Sequence, residues 1–257
     1  MVIFSLSAGN HNLLAQRQTD STSIPLLASL EKNTEARYVV IKSNLVFPEI
    51  LKGNEEEMLP YIEKYSSQKK EYIKKMYTKG KNYLPRVATV LKRYNLPEEL
   101  KSLLALESEY NGNAVSKAGA VGYWQIMDEM ARDYGMKYIV RGSNGGKTKK
   151  IKPASKDDRK DFVKATNTVA RYLRDRKRNL DDNLLLVVAS YNCGLGNVKK
   201  AIRKGCIANP TFWDIQKYLP AETKKYVMNF ITLSVIFHNY EMFAANKLNF
   251  ASQKILV

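Results

Sequence analysis

The sequence is poor in the two residue types that build disulfide scaffolds and metal centres. It contains two cysteines, Cys193 and Cys206, and two histidines, His11 and His238. Two cysteines are too few to staple a fold; they fit either one bridge in an oxidising compartment or two separate thiols. Neither histidine has a partner at ligand spacing, so we interpret both as non-catalytic and predict no metal site and no cofactor.

Long apolar runs are also missing. No run approaches the roughly 18–20 residues that span a bilayer, and no cysteine precedes Cys193, so we expect neither a transmembrane helix nor an N-terminal lipoprotein anchor. Residues 1–16 include a short apolar segment but lack the basic region of a signal peptide. We interpret residues 1–47 as a leader or tether that is partly disordered, with a short strand or an extended segment at 37–47.

Acidic residues are outnumbered by basic ones. The 25 Asp and Glu against 42 Lys and Arg give a net charge of +17, spread along 257 residues. Such a field favours polyanionic partners, but the sequence has no recognition-helix, RNP or zinc-finger pattern, so we predict no nucleic-acid binding. Peripheral association with an anionic wall or membrane surface fits the same charge. The length allows one large or two small domains.

Helical periodicity dominates the rest of the chain. Apolar positions recur at helical spacing, and Pro85 and Pro97 suit the first turns of helices, where a missing N–H costs nothing. No segment requires a sheet, so we predict a mainly α protein. The expected helices cover residues 55–65, 68–79, 85–94, 97–108, 128–134, 161–177, 184–189, 197–204 and 222–243.

Glu107 ends an apolar stripe on one of these helices. Leu100, Leu103 and Leu104 fall at i, i+3 and i+4, and Glu107 takes the i+7 position. The pattern therefore turns a carboxyl group inward. A buried carboxylate is costly unless it is paired or neutral, and a neutral Glu is a candidate general acid. The alternative is a Glu that forms an ion pair with one of the many lysines.

The chain around this helix end has a second carboxylate and a marked turn. By the same helical phase, Glu109 faces solvent together with Ser102 and Ala105. A glycine-rich turn that includes Gly122 follows, and we expect the chain to enter the next helix at Gln125. Only Glu107 is thus directed into the protein.

Three blocks of residues occur in a recognisable order. The first block comprises Glu107-Ser108, Tyr110-Asn111, Ser116, Ala118-Gly119-Ala120 with Gly122, and Gln125 with Met127. The second is residues 189–194, and the third is residues 219–227. Together they resemble the soluble lytic transglycosylase (SLT) family, which shares its fold with goose-type lysozyme. The second block is similar to the family's Ala-Tyr-Asn-x-Gly block, and the third to its Pro-x-Glu-Thr-x-x-Tyr-Val block. The similarity runs from about residue 48 to about residue 243 and is greatest to the membrane-bound D-type subgroup.

The resemblance implies a fold and a domain division. It implies a lysozyme-like (goose-type) helical catalytic domain at residues 97–245, preceded by a helical N-terminal extension at 48–96. It also implies a monomer in the bacterial periplasm or cell envelope that acts on peptidoglycan glycan strands. The Gly/Lys/Ser-rich loop at 141–155 is then either a solvated insertion or a basic flap at one end of the substrate groove.

The implied reaction is cleavage of the bond between N-acetylmuramic acid (MurNAc) and N-acetylglucosamine (GlcNAc). Glu107 would be the single acid/base, and the muramyl 6-hydroxyl would close to a 1,6-anhydro end. Most glycosidases use two carboxylates, whereas in this family the substrate's own N-acetyl group takes the second role. Lysozyme-like hydrolysis of the same bond, and a non-catalytic wall-binding or assembly protein, are the alternatives.

The family pattern also assigns substrate contacts in the first block. Ser116 and Gln125 would hydrogen-bond sugar or N-acetyl groups, and Met127 would line the glycan groove. From the residues alone, Ser116 is equally a turn cap, Gln125 a donor at a helix start, and Met127 a core side chain. Asp128 departs from the family, which usually has a proline at this position.

The later blocks supply the remaining implied contacts. Tyr191 would orient the N-acetyl group or the leaving sugar, and Asn192 would fix the local backbone next to the substrate. Glu222 and Tyr226 would close the far wall, with Tyr226 near enough to hydrogen-bond Glu107. Without the resemblance, Tyr191 reads as core filling and Glu222 as an ordinary acid at a helix N-terminus.

Overall fold

The computed structural model describes residues 38–41, 43–140, 156–250 and 253–256. Most of these residues are helical, which confirms the mainly α prediction. The helices are α1 (Glu55–Gln68), α2 (Lys70–Gly80), α3 (Leu84–Arg93), α4 (Ser102–Ser108), α5 (Asp128–Asp133), α6 (Phe162–Asn179), α7 (Leu184–Cys193), α8 (Leu195–Gly205), α9 (Phe212–Ile215), α10 (Ala221–His238) and α11 (Tyr240–Ala244). His11, most of the 1–47 segment and the loop at 141–155 lie outside the described residues.

The chain divides into two units. In the first, Met1–Lys42 with Ser252–Val257, the described part is an antiparallel pair of strands, β1 (Tyr38–Ile41) and β2 (Gln253–Leu256). The segment at 37–47 thus contains a short strand. The second unit, Ser43–Ala251, carries helices α1 to α11. The division at residues 47/48 and 96/97 stays a prediction.

Helices α4, α7 and α10 form the centre of the helical unit. Helix α10 packs against both α4 and α7, and its apolar side chains are buried almost all round. Ser102 and Ala105 on α4 are fully buried, so the prediction that they face solvent is wrong. The reason is that α10 covers their side of α4, where Ser234 Oγ donates to Ser102 Oγ at 3.1 Å. Glu109 is exposed, as predicted.

The last predicted helix, at 222–243, is interrupted. Helix α10 ends at His238, and α11 begins at Tyr240. Between them, Asn239 donates to the carbonyls of Val46 and Val235 at 2.7 Å and accepts from the Val46 amide at 2.9 Å. This side chain ties the segment before α1 to the end of α10, which explains why the helix does not continue.

The turn before α5 also differs from the prediction. Gln125 has a left-handed φ of 46° and belongs to a tight turn between the bridged residues Val121 and Ile126, so the next helix begins at Asp128 and not at Gln125. Gly122 has a φ of +82°, and a Cβ there would lie 2.0 Å from the Arg159 carbonyl oxygen. Only glycine allows this approach of the two backbones.

A buried arginine holds the turn in place. The Arg159 side chain is fully buried and donates to Asp157 and Asp128 and to the carbonyls of Ile126 and Ile139. Burial raises the pKa of Asp157, but the hydrogen bonds and charge of Arg159 outweigh it and leave the pKa below its usual value. Asp128, the departure from the family's proline, is therefore an ion-pair partner in this chain.

Candidate active site

Glu107 lies in the last turn of α4. Part of the residue remains accessible, while its carboxyl group is enclosed by protein atoms. Burial raises the pKa of this carboxyl to about 7, and a hydrogen bond from Tyr226 Oη to Glu107 Oε1 acts in the opposite direction. A carboxyl group with such a pKa exchanges a proton readily near neutral pH.

No cation among the described residues neutralises this carboxyl group. None of the ion pairs within the described ranges includes Glu107, so the described lysines do not pair with it. The neighbouring acid is directed elsewhere: Glu109 is exposed, has a left-handed φ of 51°, and accepts from Tyr72 Oη at 3.0 Å. Glu107 is therefore an isolated acid.

Two tyrosines from different helices approach the acid. Tyr226 comes from α10, and Tyr191 comes from the end of α7. Tyr191 Oη donates to the Trp124 carbonyl at 2.6 Å. Burial raises the pKa of both tyrosines, and the charge of Glu107 raises it further. Both hydroxyls are therefore neutral donors at physiological pH.

Ser108 and Tyr110, which follow Glu107 in the first block, stabilise the end of α4. Ser108 Oγ donates to the Tyr123 carbonyl at 2.6 Å and accepts from the Asn111 amide at 3.1 Å. Tyr110 adopts a left-handed φ of 63° and stacks on Tyr83 with ring centroids 5.3 Å apart. The Glu-Ser and Tyr-Asn pairs thus build the turn that presents Glu107. This positioning role of Ser108 is not among the predictions from sequence, although the Glu-Ser pair is its signal.

A cavity of about 420 Å³ includes Tyr191 in its wall. Its walls also include Gln125, Met127 and Asn192, so four of the predicted substrate-binding residues come together there. Glu107 is not part of the wall, but Tyr191 is, and the charge of Glu107 contributes to raising the pKa of Tyr191. The cavity is therefore a candidate for the glycan groove next to the acid.

Comparison with known proteins shows the family of this chain. The family model "Transglycosylase SLT domain" matches residues 71–208. The chain belongs to the transglycosylase SLT domain family. It is 32% identical over 196 residues to the membrane-bound lytic murein transglycosylase D of Escherichia coli (strain K12). That match covers 73% of this chain and 40% of the relative, so the chain spans less than half the length of this relative.

Solved structures of SLT proteins are more distant. An inactive mutant of the lytic transglycosylase Slt from Pseudomonas aeruginosa is 20% identical, with a TM-score of 0.45, over 65% of this chain and 25% of the other. The 70 kDa soluble lytic transglycosylase of Escherichia coli is 19% identical, with a TM-score of 0.45, over 63% of this chain and 25% of the other. Family membership itself rests on the sequence match.

Ser116 and Gln125, two predicted residues of the first SLT block, stabilise the turns in which they lie. Ser116 Oγ accepts from the Ala120 amide at 3.0 Å, and Gln125 Nε2 donates to the Gly122 carbonyl at 2.9 Å. Ser116 is thus a turn cap, and it does not line the cavity. Met127 is 45% exposed, which excludes core filling and leaves its side chain accessible on the cavity wall.

The last two predicted residues differ in their surroundings. Asn192 Oδ1 accepts from Thr223 Oγ1 at 2.8 Å, which fixes the end of α7 against the start of α10. Glu222 is exposed in the first turn of α10, and it has no hydrogen bond or ion pair to any residue the structure describes. Glu222 lies one helical turn before Tyr226 and occupies the position of an acid at a helix N-terminus; its role in substrate binding stays a prediction.

Several other features complete the description. Cys193 and Cys206 are free thiols, so the two-thiol alternative holds. Within residues 38–41, 43–140, 156–250 and 253–256, no group of three or more His, Cys, Asp or Glu is arranged to hold a metal ion. In the same ranges, no helix has the length and apolarity to cross a bilayer.

Proposed function

We propose that this chain is a peptidoglycan lytic transglycosylase that cleaves the MurNAc-β-1,4-GlcNAc bond and leaves 1,6-anhydro-MurNAc ends. The observation that carries the proposal is Glu107, an isolated carboxyl group with a pKa of about 7, in a chain of the SLT domain family. An acid that is about half protonated at neutral pH can both donate a proton and take one back.

In the proposed mechanism, the two carboxyl oxygens of Glu107 have different tasks. Tyr226 Oη donates to Oε1, which leaves Oε2 to carry the acid proton. Oε2 would protonate the glycosidic oxygen, and the GlcNAc leaving group would depart with that proton. The substrate's N-acetyl carbonyl oxygen would stabilise the positive charge that develops at the muramyl C1. Tyr226 then stabilises the Glu107 carboxylate by its hydrogen bond.

The second half of the reaction returns the proton. The Glu107 carboxylate would take the proton of the muramyl 6-hydroxyl, whose oxygen forms the new bond to C1. The ring closes, Glu107 is again protonated, and no water is consumed. An intramolecular hydroxyl that is held correctly competes strongly with water because its effective concentration is high. The Gln125, Met127 and Tyr191 side chains along the cavity would hold the sugars for this step.

Product analysis tests the function. Purified protein is incubated with cell-wall sacculi, and the released fragments are identified by mass spectrometry. We expect muropeptides with anhydro ends, which are lighter by one water than hydrolysis products. Reducing MurNAc ends would indicate lysozyme-like hydrolysis, and binding to sacculi without release would indicate a wall-binding protein. Either result would overturn the proposal.

The cellular setting follows from the substrate. We place the protein in the bacterial periplasm or cell envelope, acting as a monomer on glycan strands. Its charge of +17 would assist docking on anionic wall polymers, because opposite charges attract over about a Debye length. Affinity for sacculi that does not fall with added salt would contradict the electrostatic part.

Tyr226→Phe tests the control of the acid. The hydrogen bond from Tyr226 lowers the pKa of Glu107, so its removal should raise that pKa above about 7. Because the first step needs protonated Glu107, cleavage should decline at a higher pH in the variant than in the parent. The rate of fragment release from sacculi between about pH 5 and pH 9 measures this shift.

The matched control is Tyr61→Phe. It removes a hydroxyl that donates to Asn229 Oδ1 at 2.7 Å. Asn229 lies on α10, the helix that carries Tyr226, and the change leaves the hydrogen bond to Glu107 in place. The control should keep the parental pH profile. A Tyr226→Phe variant whose alkaline midpoint stays at the parental value, or moves down, would show that this hydrogen bond does not set the pKa of Glu107.

A further inference from the structure

One cation on the cavity wall, Arg176, has no hydrogen-bond or ion-pair partner among the described residues. Arg176 on α6 lines the 420 Å³ cavity together with Met127 and Tyr191. Its Nε atom is buried and has no hydrogen-bond partner, and none of the ion pairs of the described residues includes it. Buried donors without a partner are rare and call for an explanation.

The surroundings hold the guanidinium group of Arg176 in place. Its central carbon lies 4.4 Å from the centroid of the Tyr172 ring. The Tyr172 ring in turn meets the Tyr191 ring edge-on, with centroids 5.7 Å apart. Arginine stacked on an aromatic ring keeps edge N–H groups free for a planar acceptor. Because Nε is buried, the groups that would meet such an acceptor are those of the two terminal nitrogens. The stack therefore links Arg176 to Tyr191, one of the two tyrosines described beside Glu107.

Neighbouring charges do not neutralise Arg176. On the same helix, Arg174 pairs with Asp175 at 3.2 Å, and Lys177 pairs with Asp182 at 3.1 Å. Two carboxylates, Glu129 and Asp133, also line the cavity, but both are exposed. Asp133 pairs with Arg132 at 3.4 Å, and neither lies within ion-pair distance of Arg176.

We propose that Arg176 binds a carboxylate on the muramyl side chain of the substrate; this rests on the proposed function. GlcNAc is neutral, whereas a muramyl residue carries a lactyl ether group that ends in a free carboxylate or in a stem peptide with carboxylates of its own. The arginine fork matches the two oxygens of a carboxylate. Arg176 would thus distinguish muramyl from glucosaminyl residues and set the register of the strand relative to Glu107.

Binding measurements in the Glu107→Gln background, where cleavage is suppressed, test the inference. The ligands are a peptide-free murein oligosaccharide, a peptide-bearing murein oligosaccharide of the same length, and a chitin oligosaccharide, which contains only GlcNAc. Calorimetry should show that Arg176→Met weakens binding of at least one murein ligand by about 10- to 100-fold. Chitin binding should change by less than about 2-fold, which also shows that the groove is intact.

Two further variants sharpen the result. Arg178→Met removes an exposed charge from the same helix and should leave all three affinities unchanged. Arg176→Lys keeps the charge but loses the planar fork, so it should recover only part of the affinity.

The pattern across ligands identifies the carboxylate. A loss with the peptide-free ligand supports the lactyl group, and a loss confined to the peptide-bearing ligand supports the stem peptide. Equal losses for murein and chitin, or no loss for either, would overturn the inference while the proposed function stands. Failure of the parent to bind any of the three glycans would overturn both.

Discussion

Glu107→Gln should lower the rate of glycan release from sacculi by about 10²- to 10⁴-fold, the usual contribution of a general acid. Glutamine has nearly the same shape, and its carboxamide oxygen still accepts the hydrogen bond that Tyr226 donates to Oε1. What is lost is the transferable proton. The release of soluble fragments at neutral pH, followed over time, measures the effect.

The same substitution should not weaken the fold. Burial raises the pKa of Glu107 from 4.5 to about 7, so the folded protein favours the neutral form. The contribution of Glu107 to the free energy of unfolding is therefore fully present below about pH 4.5. It is lost as the pH rises from there to about 7. Above that pH, the ionised carboxyl group costs up to about 3 kcal/mol. Glu107→Gln should thus be at least as stable as the parent at pH 8.

Glu109→Gln is the matched control for activity. It removes a carboxylate two positions away that is exposed and bonded to Tyr72, and it should retain parental activity. The assignment of Glu107 as the acid would be refuted if Glu107→Gln kept more than about one-tenth of the parental rate. It would also be refuted if Glu109→Gln lowered the rate as strongly as Glu107→Gln does.

Arg159→Met should produce the largest loss of stability, about 3–5 kcal/mol. Methionine fills much of the space but leaves Asp157, whose side chain is 2% exposed, as a buried charge without its cation. It also leaves the carbonyls of Ile126 and Ile139 without their donor. Thermal unfolding should shift down by about 6–20 °C for a protein of this size.

The activity of Arg159→Met should decline together with its stability. The reason is that Arg159 donates to the Ile126 carbonyl and so holds the backbone between Gln125 and Met127. The control is Arg174→Met, which removes a partly exposed pair with Asp175 and should cost less than about 1 kcal/mol. If both variants unfold at the same temperature, the buried network does not contribute as the structure indicates.

Local patterns were sufficient to predict much of the helical unit. The stripe that ends at Glu107 and the apolar run at 184–189 predicted their helices, because the spacing of apolar residues reflects which face is buried. The isolated position of Glu107 near Tyr191 and Tyr226 came from the family resemblance and not from periodicity. No local sequence pattern predicts these contacts, because Tyr191 and Tyr226 follow Glu107 by 84 and 119 positions.

The wrong predictions have a common cause in long-range contacts. Ser102 and Ala105 are buried because α10 covers them, and Asn239 interrupts the last helix because it bonds Val46, 193 residues earlier. The buried position of Arg159 and the cavity position of Arg176 are not predicted from the sequence, because lysines and arginines are usually solvated. Only the fold shows that Arg159 is fully paired and that Arg176 lines a cavity with no hydrogen-bond or ion-pair partner among the described residues.

Direct titration of the Glu107 carboxyl group tests the central claim. The protein is labelled with ¹³C at glutamate side-chain carboxyls, and the Glu107 signal is assigned by its absence in Glu107→Gln. Its chemical shift, followed across pH by NMR, should report a midpoint near 7. A midpoint near the ordinary value of 4.5 would show that Glu107 is ionised at neutral pH, and the single acid/base account would fail.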